Sequence, residues 1–292
     1  MAVSKTSSKL LYLTALAGAT GALYYFSKSR VPVPAPKAFT DSSAWIDLKL
    51  KSFKDLSHDS REFVFELPSA NHVSGLETAS LVLGKYMTAK GNPVIRPYTP
   101  ISDNDQKGEI TFVIKKYPNS KFGTHVFGLK PNDSVSFKGP IQKWKWVPNS
   151  FDSVTLIGGG SGITPLYQIL STVAKNPEDN TKVHLIYGSQ TPADILLKSE
   201  IDALAKKYPE QVKVDYFVDK AEGEFEGHVG FVSKEFLEKS IPKSTEKTQA
   251  FVCGPAGLYK AVSGTKASKT DQGEVTGALA ELGYTKENVF KF

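Results

Sequence analysis

A glycine-rich stretch, "LIGGGSGITP" at residues 156–165, is the densest group of residues suited to ligand chemistry. It lacks the Lys-Ser/Thr pair that ends a phosphate-binding P-loop. It also departs from the dinucleotide fingerprint G-x-G-x-x-G, because Pro165 stands where the third glycine should follow Gly160 and Gly162. Glycines at a strand exit still let a phosphate approach the backbone and the helix N-terminus behind it. A tight connection without a ligand is the alternative interpretation.

A second candidate is "VCGP" at residues 252–255, which ends a later apolar run and opens the helical pattern "AGLYKA". In open parallel sheets, ligands bind at the carboxyl ends of the strands, so both stretches would face one nucleotide. A lone cysteine after apolar residues is otherwise usually a small buried side chain. The candidate nucleotide-binding residues are Gly159, Gly160, Ser161, Gly162, Cys253, Gly254 and Pro255.

Asp219, at the end of "DYFVD", is the candidate partner for an adenosine ribose. The preceding strand pattern, "LIYGSQ", ends without an acid. No arginine stands near Ser189 or Asp219 to receive a 2′-phosphate. These residues favour NADH over NADPH.

The third candidate is "IRPYTPISD" at residues 95–103. The guanidinium fork of Arg96 suits a phosphate, the Tyr98 ring can lie against a flat heterocycle, and Thr99 can hydrogen-bond its edge. Residues two apart on a strand share a face, which puts Arg96 and Tyr98 on one side and Thr99 at the rim. A proline-stiffened strand end without a ligand is the alternative.

Two halves with different periods must position these residues. From Trp45 to about Trp146 apolar and polar residues alternate, which predicts an antiparallel β-barrel or sandwich without a convincing helix. Short apolar runs then alternate with helical patterns, including one over "PADILLKSEIDALAKKY", which predicts a parallel sheet with helices on both faces. The predicted boundary lies near residue 148, giving domains over residues 41–148 and 149–292.

Composition narrows the function further. The chain has 292 residues, enough for two domains, and its 36 basic and 30 acidic residues give a net charge of +6. The basic residues are spread without a block, which argues against nucleic acid but is compatible with an acidic protein partner. The single cysteine, Cys253, excludes an internal disulfide, and no Cys/His cluster has metal-ligand spacing. We expect a monomer without a metal.

Residues 1–40 differ from the rest because they contain no acid. The apolar run at residues 10–26 has basic residues on both sides and would span roughly 26 Å as a helix. A cleaved signal or a buried helix would also be apolar. Basic flanks favour a single-pass anchor of the kind found on mitochondrial outer-membrane proteins. Residues 30–39, "RVPVPAPKAF", then form an extended spacer, and processing could release a soluble form into the intermembrane space.

The ordered motifs "RPYTP", "GGGSGITP" and "VCGP" resemble those of the ferredoxin reductase-like flavoenzymes. Within them, the likeness is to the branch that reduces cytochrome b5, in its fungal mitochondrial form. It covers residues 41–292 and includes "FGLKPNDSVSFKGPIQKWKW", "DILLKSEIDAL" and the terminal "NVFKF". The resemblance implies an FAD-binding β-barrel followed by a Rossmann-like NADH-binding domain.

The resemblance also implies roles for the barrel residues. Arg96 would hold the FAD pyrophosphate, Tyr98 beside Pro97 would pack on the flavin, and Thr99 would bond its N5/O4 edge. Further residues that match flavin-lining positions are Val113, Lys115 and Tyr117.

The family's phosphate-holding segment, Gly-Gly-Lys-Met-Ser/Thr, is replaced here by "NSKFGTHV" at residues 119–126. Lys121 matches cleanly, followed by Phe122, whereas Gly123 occupies the hydroxyl position and Thr124 stands one residue later. Either Thr124 substitutes after a small shift, or backbone amides hold the phosphates.

The implied reaction is hydride transfer from NADH to FAD, followed by two single-electron transfers to the haem of cytochrome b5 or a similar small haem protein. Thr164 matches the position near flavin N5 and the nicotinamide, Cys253 the position beside the nicotinamide, and Phe292 the terminal aromatic near the flavin. With Thr99, Thr164 and Cys253 are the candidate catalytic residues, and they would orient the cofactors rather than act as acid or base.

Two other functions remain open. A flavin reductase could deliver electrons to another haem or to a quinone-like acceptor, because acceptors dock on a surface that sequence describes poorly. Lys121, Lys143 and Lys145 could meet an acidic cytochrome, although solvated lysines are commoner. A membrane-anchored nucleotide-binding scaffold is the alternative of a different class.

Overall fold

The computed structural model describes residues 33–221 and 223–292. Its first half is one six-stranded antiparallel sheet, with the order β4-β3-β6-β1-β2-β5. The strands are β1 (Ile46–Asp55), β2 (Ser60–Glu66), β3 (Ser80–Met87), β4 (Pro93–Tyr98), β5 (Glu109–Lys115) and β6 (Ser134–Gln142). Just beyond β4, the Ile101 amide donates to the Thr111 carbonyl of β5 at 2.9 Å. This bond links the chain just after β4 to β5, the opposite edge strand, and so brings the two edges of the sheet together as the predicted barrel requires.

Aromatic side chains fill the interior of this barrel. The Phe137 ring lies 5.1 Å, centroid to centroid, from both Phe65 and Phe112, and all three rings are buried. Alternate residues of a strand point to one face, which is why single phenylalanines from three strands meet. Buried aromatics contribute large apolar areas, and they make the barrel a firm support for the β4 end.

A helix interrupts the barrel strands, so the expectation of an uninterrupted strand region was wrong. Helix α1 (Lys121–Phe127) begins behind Ser120, whose hydroxyl accepts a hydrogen bond from the Gly123 amide at 3.0 Å. Phe122 and Val126, four residues apart, are buried against the barrel core. Seven residues are too few to show a clear helical period in a sequence.

The second half is a six-stranded sheet in which every pair is parallel, as predicted. Its order is β10-β9-β8-β7-β11-β12. The strands are β7 (Ser153–Gly159), β8 (Lys182–Ser189), β9 (Val212–Val218), β10 (His228–Val229), β11 (Thr248–Cys253) and β12 (Val289–Lys291). The chain adds strands on one side of β7 and then crosses to β11 on its other side, so the switch point lies between β7 and β11.

Helices cover both faces of the parallel sheet. They are α2 (Ile163–Lys175), α3 (Lys198–Lys207), α4 (Lys234–Ser240), α5 (Ala256–Val262) and α6 (Gly277–Glu281). Buried residues of α2 and α3 share one apolar cluster, and those of α4, α5 and α6 share another. This is the layered arrangement that strand-helix alternation requires.

The helix predicted over residues 192–208 is only partly present. Pro192–Asp194 forms a 3-10 turn closed by a capping box with Thr191, and Leu197 has a left-handed backbone with φ 58°. Helix α3 therefore begins only at Lys198. Ile195, Leu196 and Leu197 are all buried. Three consecutive residues of a helix point in different directions, so burying all three requires an interruption of the helix.

Helix α2 fastens the two halves together within the single compact unit Lys37–Phe292. The Gln168 carbonyl oxygen accepts from the Ser80 amide at 3.1 Å, and the Thr78 hydroxyl donates to that of Thr172 at 3.0 Å. Further along, the Lys175 ammonium lies 2.7 Å from the Asp103 carboxylate. The predicted boundary near residue 148 lies in the segment 143–152 that connects the sheets.

The predicted membrane segment, residues 10–26, lies outside the described residues. Within residues 33–221 and 223–292, no helix is long and apolar enough to cross a bilayer. The predicted spacer does not run as far as residue 39. Ala38 and Phe39 donate backbone hydrogen bonds to Val73 and Ser74 at 2.9 Å, and Phe39 is buried in the barrel core.

Candidate active site

A cleft of about 650 Å³ lies between the barrel and the parallel sheet and brings the three sequence motifs together. That volume is within the range of small-molecule and cofactor sites. Its walls come from the end of β4, from β5 and the segment after it, and from the exits of β7 and β11. The predicted residues that line it are Arg96, Pro97, Tyr98, Thr99, Val113, Lys115, Tyr117, Gly159, Ser161, Gly162, Thr164, Cys253, Gly254, Pro255 and Phe292.

The β4 end supplies the barrel wall of the cleft. Arg96 is exposed, and its guanidinium donates only to the neighbouring Ile95 carbonyl at 2.8 Å among the described contacts. Tyr98 lies deeper, with its ring centroid 5.1 Å from that of Phe122. Burial raises the pKa of the Tyr98 phenol, so the ring is neutral at physiological pH. An available guanidinium thus stands beside a fixed, uncharged aromatic surface.

The glycine-rich turn passes against the exit of β11. A Cβ atom on Gly162 would lie 2.3 Å from the Cys253 carbonyl oxygen, so only glycine fits there. Gly160 has φ +53°, and its carbonyl accepts from the buried Tyr187 hydroxyl at 2.9 Å. No side chain caps the N-terminus of α2, and Gly162, Thr164 and Pro165 at that end line the cleft, so the positive end of the helix dipole lies beside it. The Ile163 amide itself donates to the Gly160 and Ser161 carbonyls within the turn.

A hydrogen bond crosses the cleft from the barrel to this turn. The Tyr117 hydroxyl lies 2.7 Å from the Ser161 hydroxyl, although Tyr117 is half-exposed. Thr164 is buried in the first turn of α2, and its hydroxyl donates to the Ser161 carbonyl at 3.4 Å. Ser161 therefore connects the residues predicted to face the flavin with those predicted to face the nicotinamide.

The exit of β11 forms the opposite wall. The surroundings of Cys253, chiefly through desolvation, raise the pKa of its thiol to about 11. Nearby, the Tyr259 hydroxyl donates to the Phe292 carbonyl at 2.9 Å, and the Phe292 amide donates to Val252 at 3.0 Å. These bonds fix the Phe292 aromatic residue at the cleft, as the resemblance implied.

The charges of the cleft suit an anionic dinucleotide. Arg96, Lys115 and Lys143 line it, and no acidic side chain of the described residues does. Together with the N-terminus of α2 and the close backbone approach at Gly162, these cations match what phosphates, a flavin and a nicotinamide require of a protein. The residues present therefore fit both FAD and NADH.

Six predicted site residues do not line the cleft. Phe122 and Gly123 are buried in α1, and the Gly123 amide is occupied by Ser120. Lys121 and Thr124 are exposed on the same helix, and Gly160 lies within the turn. Asp219 is exposed just beyond β9, where its amide donates to the Ser189 carbonyl at 3.0 Å. Asp219 thus stands at the carboxyl edge of the sheet but outside this cavity.

The cleft also contains residues that the sequence analysis did not single out for cofactor binding. They are Leu81, Ile114, Ser120, Lys143, Pro165 and Tyr259. The sequence did contain a signal for Ser120, because serine is one of the residues preferred at the position that caps a helix N-terminus. Tyr259 follows Cys253 by six positions and reaches the cleft only because α5 folds back over β11.

Comparison with known proteins agrees with both halves. Residues 47–146 match the family model "Oxidoreductase FAD-binding domain", and residues 156–264 match "Oxidoreductase NAD-binding domain". Fold and cleft together therefore define a two-domain, FAD- and NAD-binding oxidoreductase. The sequence-based prediction of this class and of its two cofactors is confirmed.

Individual relatives narrow the class. The chain is 61% identical over 256 residues to NADH-cytochrome b5 reductase 2 of Kluyveromyces lactis, covering 88% of this chain and 86% of that protein. It is 57% identical over 291 residues to the protein of the same name in Scheffersomyces stipitis, and the match covers 99% of this chain and 98% of that protein. The cytochrome b5 reductase domain of Ulva prolifera nitrate reductase superposes with a TM-score of 0.77 at 29% identity, covering 89% and 100%. The chain belongs to the NADH-cytochrome b5 reductase family.

The close contact of Gly162 with the backbone of Cys253 gives a direct test of the site geometry. In Gly162→Ala, the new Cβ meets backbone atoms of Cys253 and Gly254 that cannot rotate away. We expect a loss of about 1–3 kcal/mol in the free energy of unfolding and weaker NADH binding. Thermal unfolding and NADH titration measure both effects.

The matched control is Gly257→Ala in α5, where no heavy atom lies within 4 Å of the added Cβ. It should leave unfolding unchanged or slightly raise stability, because alanine favours a helix. If Gly162→Ala unfolded and bound NADH as the wild type does, the close contact between Gly162 and the Cys253 backbone would be contradicted.

Proposed function

We propose that the protein takes a hydride from NADH onto FAD and passes the electrons singly to cytochrome b5. The observation that carries the proposal is the single cleft in which the β4 end, the glycine turn and Cys253 meet without an acidic side chain. The names of the relatives above support the choice of NADH and of cytochrome b5.

Bound FAD supplies the chemistry, because it accepts a hydride and can release electrons one at a time. The chain contributes binding and orientation. Arg96 neutralises and holds the pyrophosphate through its fork, and Tyr98 gives the flavin a flat apolar surface. Lys115 and the half-buried Thr99 line the same wall and hold the flavin edge. Fixing two reactants in one geometry accounts for a large share of such a rate.

The parallel-sheet half positions the nicotinamide. The positive end of the α2 dipole attracts the NADH pyrophosphate, and Thr164 and Cys253 lie in the cleft where the nicotinamide ring must meet the flavin. A thiol with a pKa of about 11 is protonated at pH 7, so Cys253 acts by shape and contact rather than as a nucleophile. Tyr117 and Ser161 close the cleft between the two cofactors.

The acceptor docks where electrons can leave the flavin. Lys143 lines the cleft, and Lys121 is exposed on α1 nearby in the barrel half. Such lysines attract an acidic haem protein and raise its association rate, an effect that salt screens. Residues of one chain line the cleft, so this scheme requires no second copy of the protein.

Flavin colour tests the proposed reaction. The purified protein should be yellow, bleach on addition of NADH under anaerobic conditions, and then reduce cytochrome b5 at a rate that falls with salt. A colourless preparation that FAD cannot reconstitute would favour the nucleotide-binding scaffold. Fast bleaching without cytochrome b5 reduction would favour another haem or a quinone-like acceptor.

Arg96 tests the FAD half of the proposal. Arg96→Ala should weaken FAD affinity at least tenfold, because charge-assisted hydrogen bonds to the pyrophosphate are lost. The FAD affinity of Arg96→Lys should fall between those of the wild type and Arg96→Ala, because lysine keeps the positive charge but lacks the guanidinium fork. The control Lys90→Ala, an exposed turn lysine, should retain FAD fully.

Asp219 tests the cofactor preference. Its carboxylate accepts from a ribose hydroxyl and repels a 2′-phosphate, so Asp219→Ala should narrow the NADH/NADPH ratio of kcat/KM by about tenfold, or about 1.4 kcal/mol. Lys220→Ala, at the adjacent exposed position, is the matched control. An unchanged ratio in Asp219→Ala would remove this residue from the nucleotide site.

The proposal includes an N-terminal anchor in the mitochondrial outer membrane. What supports it is the acid-free, basic-flanked apolar run at residues 10–26. A full-length fluorescent fusion should stay with the mitochondrial membrane fraction after alkaline extraction, whereas a fusion without residues 1–36, which keeps Phe39 in the barrel core, should be released. Equal distribution of the two fusions would contradict the anchor.

A further inference from the structure

Three side chains with metal-ligating atoms meet at a second place, outside the cleft. His58 and Asp59 lie in the turn between β1 and β2, and Asp194 closes the 3-10 turn after β8. One ligand atom from each lies within 4.8 Å of the others. His58 Nδ1 is 3.4 Å from Asp194 Oδ1, and His58 Nε2 is 3.4 Å from Asp59 Oδ2. The cluster therefore bridges the barrel and the parallel-sheet half.

Asp194 provides independent support for a ligand. The residue is 7% exposed, and its Oδ2 accepts from the Thr191 amide at 3.2 Å and hydroxyl at 2.7 Å. Its Oδ1, by contrast, is buried without a hydrogen-bond partner in the described part of the chain. A buried carboxylate oxygen without a donor is costly. The atom faces His58, so a cation placed between them would satisfy it.

Asp59 supplies a second negative charge. Burial opposes its ionisation, but hydrogen bonds from Lys115, Ser60 and Ser57 outweigh that effect and lower the pKa of the carboxyl. Its Oδ2 lies 2.5 Å from the Lys115 ammonium. A divalent cation would share this oxygen with Lys115, and Lys115 lines the cofactor cleft.

We propose that His58, Asp59 and Asp194 bind a zinc ion across the two halves of the protein. Zinc accepts imidazole and carboxylate ligands at about 2.0–2.2 Å, and tetrahedral bonds of that length place ligand atoms roughly 3.4 Å apart. In this structure one ligand atom from each of the three residues lies within 4.8 Å of the other two, so side-chain rotations of about 1 Å bring them to that spacing. A small rotation of the exposed His58 ring presents one nitrogen, and water completes the coordination. The imidazole disfavours magnesium and calcium, which select oxygen ligands.

Occupancy of this site has two consequences. The ion cross-links the β1–β2 turn to the turn after β8, which stabilises the arrangement of the two halves. It also competes with Lys115 for the Asp59 carboxylate, which links the site to the wall of the cofactor cleft. The three ligands lie outside the reacting groups, so zinc binding does not depend on which electron acceptor the protein uses.

The test titrates zinc chloride into the FAD-loaded full-length protein by calorimetry, after chelator treatment and removal. We expect one zinc ion per chain. His58→Gln should weaken binding at least tenfold, and Asp194→Asn should do the same. His72→Gln, in the barrel loop before β3, is the matched control and should bind as the wild type does.

Thermal unfolding provides the second readout. Zinc at about a hundredfold excess over its Kd should raise the wild-type midpoint by roughly 5 °C, whereas His58→Gln should not respond. Magnesium at the same concentration should have no effect. Wild-type zinc affinity in His58→Gln would overturn the proposal. Binding that is lost in Cys253→Ser but kept in His58→Gln would assign the ion to the thiol and overturn it equally.

Discussion

The approach of the glycine-rich turn to the backbone of β11 is the constraint on which the site depends. Gly158 and Cys253 are paired neighbours in the parallel sheet, so their strands end side by side. The turn after β7 can pass the Cys253 carbonyl only because Gly162 has no side chain. That passage brings Ser161 to Tyr117 of the barrel and sets Thr164 and Cys253 in one cleft.

Helix α2 extends this constraint to the whole junction. It starts at the turn, and its later residues Gln168, Thr172 and Lys175 bind the barrel through an amide, a hydroxyl and a carboxylate. One rigid element therefore relates the strand exits to the β4 end. Because hydride transfer needs two rings at a fixed separation, a helix tied at several points is better suited to the task than a loop.

The sequence predicted well where a local pattern carries the information. Alternation predicted the antiparallel barrel, and strand-helix order placed the glycine turn and Cys253 at one edge. Local pattern failed where tertiary contacts decide: α1 is too short to show a period, and Leu197 breaks a helical run to reach the core. The meeting of His58 with Asp194 depends on how two halves pack, which no spacing within either half records.

The junction also contains most of the protein's tryptophan. Of the three tryptophans, Trp144 and Trp146 lie in the segment joining the sheets, while Trp45 lies just before β1. The Trp144 ring contacts Phe251 and Phe290 of the parallel sheet with centroids 5.2 and 5.1 Å away, and the Trp146 indole donates to Asp179 at 2.9 Å. Indole emission is therefore a native optical reporter of how the connecting segment packs on the parallel-sheet half, and it requires no attached dye.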